Sequence, residues 1–93
     1  MKRTVPSPLR GILARNLRAI RAHIGWSQER LAAAADLNRT YVSAVERGEQ
    51  NISIDNIYKL SRALGIDAQH LLDQEAKIVA SVSEPKGTGR RSV

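Results

Sequence analysis

The chain has no cysteine and no phenylalanine, one tryptophan and two tyrosines. Without cysteine there is neither a disulfide nor a thiolate metal site, which suits a reducing compartment. With so few aromatic rings, the core must be built from small aliphatic residues and alanine. Helices favour such residues, whereas strands would call for more β-branched and aromatic content. No apolar run approaches the roughly 18 residues that a membrane span requires. The start, "MKRTVPSPLRG", is basic but lacks the apolar stretch of a signal peptide. Acid is missing as well, from one region only. Residues 1–24 contain Lys2, Arg3, Arg10, Arg15, Arg18 and Arg21 and no Asp or Glu. Acids outnumber bases between residues 25 and 75, and the last 18 residues are basic again, for a net charge of +6. A basic N-terminal third suits a polyanion such as nucleic acid, and equally a solvated arm with a soluble helix face.

What is present is a set of helix signals in a chain of one-domain length, 93 residues. Ser7-Pro8 has an N-cap residue followed by proline at the first helical position. Ile12, Leu13, Leu17, Ile20 and Ile24 then recur at helical spacing until Gly25 closes the helix. Four later junctions share one pattern: a bulky apolar residue, then Ser, Asn or Asp, then another apolar residue four positions on. They are Trp26-Ser27 with Leu31, Leu37-Asn38 with Val42, Ile52-Ser53 with Ile57, and Ile66-Asp67 with Leu71. Each reads as an N-cap crossed by a hydrophobic staple. The pattern predicts helices over about 28–35, 39–47, 54–64 and 68–75. Gly48 and Gly65 fall where the third and fourth should stop. The expected fold is therefore all-α with five helices. It divides into a basic N-terminal arm over 1–8, a domain over 9–75 and a basic tail over 76–93. The fifth helix continues into that tail if the stripe Leu72, Ala76, Val79 and Val82 is used, up to Pro85; the other reading is a frayed tail.

The caps at Ser27 and Asn38 are 11 residues apart, room for two turns of helix and a very tight connection. Ala32 to Ala35 are small enough to let a second helix cross closely. This describes either a helix-turn-helix or a plain corner between two helices. No His, Asp or Glu set has metal-ligand spacing, no glycine-rich phosphate loop occurs, and the serines read as caps or surface groups. No metal, cofactor or enzymatic activity is expected.

The stretch "LRAIRAHIGWSQERLAAAADLNRTYVSAVERGEQNISIDNIYKLSRALGI", within residues 13–72, resembles the phage-repressor-like (Cro/XRE) helix-turn-helix family. "SQERLA", "RTYVSAVERGEQNIS" and "LSRALGI" are especially similar to the controller proteins of restriction–modification systems. Asp36 departs from the glycine that many members carry in the turn, and Asp tolerates the left-handed conformation better than most residues. The resemblance implies a bacterial, cytoplasmic regulator of transcription that binds double-stranded DNA as a homodimer. The third helix would enter the major groove, with Arg39, Thr40, Tyr41 and Ser43 turned toward base edges. Tyr41 alternatively buries its ring at a helix contact. Gln28 would bond a backbone phosphate, and Arg47, Gln50 and Asn51 would flank the groove. Arg21 and Glu46 would form an ion pair beneath the DNA-binding surface. Ile66, Leu71 and Leu72 would form the dimer contact. Two other functions fit a domain of this kind: an antitoxin that holds a toxin partner, and an interaction module that barely reads DNA.

Overall fold

The computed structural model describes residues 5–75, so residues 1–4 and 76–93, and with them the proposed extension of the fifth helix, lie outside it. The described residues form five helices and no strand: α1 (Leu9–Ile24), α2 (Gln28–Ala35), α3 (Arg39–Glu46), α4 (Ile54–Leu64) and α5 (Ala68–Leu71).

The predicted caps account for most of these boundaries. Ser27 Oγ accepts from the Arg30 amide, Asn38 Oδ1 from the Thr40 amide and Ser53 Oγ from the Asn56 amide. Each bond satisfies an amide that the first turn leaves without a helical partner. Ser7 Oγ does the same for Leu9, although regular helix begins one residue later than expected. Asp67 has the extended backbone of a cap, but its side chain makes no capping bond. Trp26, Leu37, Ile52 and Ile66, the residues ahead of the four later caps, all lie partly buried against the core. Asp36 closes α2 in the left-handed conformation, with φ 58° and ψ 47°.

Leu13, Leu17, Ile20, Leu31, Val42, Leu60 and Leu71 are fully buried in one aliphatic core. Buried Ala32 and Ala35 let α2 approach its neighbours closely. Helix α2 packs on α3 and α4, and α1 packs on α3 and α5.

The fifth helix corrects the sequence reading, since it ends at Leu71 rather than 75. Asn16, a buried amide inside the apolar stripe of α1, donates from Nδ2 to the carbonyls of Leu71 (2.9 Å) and Asp73 (3.0 Å). Arg15 donates to the Gln74 carbonyl at 3.0 Å. Asn16 thus takes the Leu71 carbonyl, which a helix running to residue 75 would have paired with the Glu75 amide. Leu71, the last residue of this short helix, has none of its surface exposed. Leu71 has no surface to offer a second chain and leaves the expected dimer contact. Ile66 and Leu72 stay partly exposed.

Candidate nucleic-acid interface

Helix α3 is held at its C-terminal end and open at its start. Glu46 is 2% exposed. Arg21 of α1 grips its carboxylate with two bonds of 2.8 Å, Nε to Oε2 and Nη2 to Oε1, and uses Nη1 on the Trp26 carbonyl. This fork-on-fork geometry is one that only arginine supplies. The hydrogen bond to Glu46 raises the Arg21 pKa, burial lowers it, and the nearby negative charge adds to the rise. Gln28 of α2 donates from Nε2 to Glu46 Oε1 at 3.0 Å, and Arg18 donates to the Glu46 carbonyl. One carboxylate therefore ties α1, α2 and α3 together. Arg18 also places a cation at the negative end of α3, the favourable end for it.

The expected ion pair is thus present and partly buried. Gln28, expected to bond a backbone phosphate, is partly engaged within the protein. One of its N–H groups is committed to Glu46, which leaves the second N–H and the carbonyl for an outside ligand. The sequence marks Arg18 only as one of the basic residues of the N-terminal third. Its signal was its place three residues before Arg21, on the same face of α1.

At 100° per residue, Arg39, Ser43, Arg47 and Thr40 fall on one face of α3, and Val42 and Val45 fall in the core. Arg39 and Thr40 are exposed. The Arg39 guanidinium lies 3.7 Å from Glu29 of α2, and both side chains are mostly in solvent. Ser43 accepts from Arg47 Nη1 at 2.6 Å, and Arg47 also pairs with Glu49 at 3.1 Å. Tyr41 sits on another flank: its ring packs on the core and its hydroxyl accepts from Asn56 Nδ2 of α4 at 3.1 Å. The burial alternative for Tyr41 is the one the fold adopts. Its hydroxyl proton remains available at the edge of the exposed face. Asn56 was missed, because nothing local marks which residue of α4 meets a tyrosine 15 positions earlier. In the loop after α3, Asn51 is exposed and Gln50 partly so.

The surface that results carries varied donors and acceptors on a helix whose opposite side is locked down. Among the described residues, no helix is long and apolar enough to cross a membrane.

A family model described as "Helix-turn-helix" matches residues 17–71. A Neisseria meningitidis protein named a hypothetical transcription factor is 55% identical over 64 residues, which is 69% of this chain and 60% of that protein. The chain thus spans less than two thirds of that relative. Control protein C.BamHI of Bacillus amyloliquefaciens is 47% identical over 66 residues, 70% of this chain and 82% of its own. The crystal structure of the restriction–modification controller protein C.AhdI of Aeromonas hydrophila superposes with a TM-score of 0.65 at 44% identity. It covers 67% of this chain and 94% of that one.

Proposed function

The chain belongs to the Cro/XRE-type helix-turn-helix family, whose members reported above are regulators rather than enzymes, and on that premise we propose that it is a sequence-specific DNA-binding regulator of transcription. It acts as a homodimer on a pseudo-palindromic operator. The observation that carries this reading is the asymmetry of α3, with its core side and its end at Glu46 fixed and Arg39, Thr40 and Arg47 exposed, half-buried Ser43 lying on the same face. Arginine bonds guanine O6 and N7 in a bidentate way. Threonine offers a hydroxyl and a methyl that packs on thymine. Such variety suits base edges, where a uniform lysine surface would bind only phosphate. Gln28, Arg47, Gln50 and Asn51 surround this face and bind the backbone.

A single domain covers too few base pairs for useful selectivity, and two copies with half-sites about one helical turn apart overcome this. The contact between copies uses Ile66 and Leu72. Ile54 and Tyr58 of α4 join them, 77% and 55% exposed and one turn apart. The antitoxin reading gains nothing from the relatives, whose names are those of transcription factors and control proteins.

Selection of binding sites from random duplex DNA tests the reading directly. On the selected site Arg39→Ala is expected to lose ~1–3 kcal/mol and to relax discrimination at one base pair per half-site. Gln28→Ala should weaken operator and scrambled DNA alike. Titration of both variants on both DNAs decides between these roles. Equal losses for Arg39→Ala would remove it as a base reader.

A further inference from the structure

Among the described residues, the three ion pairs each join an arginine to a glutamate, and all lie in α3 or at its end. Arg21–Glu46 is the buried joint between helices, and Arg47–Glu49 is a local pair in the loop. The third, between Glu29 of α2 and Arg39, differs from both. It crosses between helices, yet its side chains are 74% and 58% exposed. It also engages the residue that reads a base in the function proposed above. Glu29 Oε2 stands 3.7 Å from Arg39 Nε, an ion-pair distance too long for a hydrogen bond. Nε is the guanidinium nitrogen nearest the stem, so a carboxylate there leaves the paired Nη groups at the tip for a ligand. Gln28, the preceding residue, meets Glu46 at the other end of α3. The first turn of α2 thus reaches both ends of the helix that faces the groove. An acid in this place calls for a reason. It repels the phosphates that its neighbours attract, and an exposed pair adds little to stability. Glu29 also suits the positive end of α2 as an acid in its first turn, but that contribution bears on stability alone.

We propose that Glu29 is a specificity-determining residue that aims Arg39. It holds the guanidinium by its Nε edge, so that the two Nη groups meet O6 and N7 of one guanine, and it withholds the same arginine from phosphate. This rests on the reading of Arg39 given above. In the free chain the pair is loose. Once the duplex excludes water, the attraction between the two charges strengthens and confines a long, flexible side chain to one direction. Without that partner Arg39 swings to the nearest phosphate, a contact that carries no sequence information. The charge of Glu29 lowers affinity for every duplex, and lowers it least where a guanine satisfies Arg39. Selectivity is a difference of affinities, and a repulsive element is one way to enlarge it.

The test measures affinity of the full chain for three duplexes: the selected operator, the operator changed at the base pair that Arg39→Ala relaxes, and scrambled DNA. Glu29 is exposed, so Glu29→Gln retains the fold. It should raise affinity for scrambled DNA and lower the preference for the operator over its changed form by about 2–10-fold, the size of coupling between neighbouring groups. In the Arg39→Ala background the same change should leave the preference where Arg39→Ala put it. Glu49→Gln removes a carboxylate from the loop after α3, and should raise affinity for all three duplexes with the preference intact. An undiminished preference in Glu29→Gln overturns the aiming role while Arg39 remains a base reader. A further loss of preference in the double variant overturns it too, because Glu29 would then read a base by itself, as a carboxylate does at cytosine N4. No gain on scrambled DNA takes Glu29 off the DNA face, and an equal loss of preference in Glu49→Gln reduces the effect to net charge; either result overturns the proposal. If Arg39→Ala relaxes no base pair, the reading of Arg39 falls and the aiming role falls with it.

Discussion

Arg21→Ala is expected to destabilise the domain by ~3–5 kcal/mol, a large share of the 5–15 kcal/mol that holds a typical domain together. Its cost exceeds that of the bonds it removes. Glu46 would remain 2% exposed, bonded at its carboxylate only by Gln28 Nε2, and the Trp26 carbonyl would lose its donor. A buried carboxylate without its counter-ion must stay charged at high cost, take up a proton, or drag α3 toward water. Arg21→Lys should recover little, because one ammonium cannot span both oxygens and the Trp26 carbonyl. Arg21→Met combined with Glu46→Leu should recover much of the loss, since an apolar pair of similar volume leaves no buried charge behind. Urea unfolding of the three variants measures this. A loss under about 1 kcal/mol for Arg21→Ala would give the pair the weight of a surface ion pair and remove it as the joint between α1 and α3. Operator affinity should fall along with stability, because the same joint fixes the angle at which α3 is presented.

Leu71→Ala is expected to cost ~2–5 kcal/mol, the range for emptying a leucine-sized site in a packed core. Leu71 packs in the core that contains Leu13, Leu17 and Leu60. The site cannot collapse freely, because Asn16 pins the Leu71 carbonyl from the other side. The loss belongs to the single chain, so it should not depend on protein concentration. Ile54→Asp is the counterpart. Its side chain is 77% exposed, so the fold of one chain should survive, and sedimentation should show dimer giving way to monomer. If instead Leu71→Ala left the unfolding midpoint in place and only dissociated the dimer, Leu71 would belong to the subunit contact and not to the core.

Most of the helical layout was legible in the sequence. Caps and staples are local devices, with partners two to four residues apart, and a linear reading captures them whole. Ser27, Asn38 and Ser53 therefore marked the starts of α2, α3 and α4, and Gly25 and Gly65 the left-handed stops of α1 and α4. The outward turn of the start of α3 came from likeness to a family, and Arg39 and Thr40 are exposed as it implied, whereas Tyr41 and Ser43 are half-buried. The Arg21–Glu46 pair came from likeness to a family, because no spacing rule links residues 25 positions apart.

Only the tertiary structure decided the rest, and in each case the reason is a partner distant in sequence. Asn56 of α4 settles Tyr41 on the flank of α3 rather than at its tip. Glu46 draws the Gln28 amide inward. Asn16 takes the last carbonyl of α5, which ends four residues early, and Leu71 is buried within its own chain. Periodicity assigns a side chain to a face of its helix. Which neighbour meets that face depends on how the helices cross, and that crossing is set by the packing of the whole core.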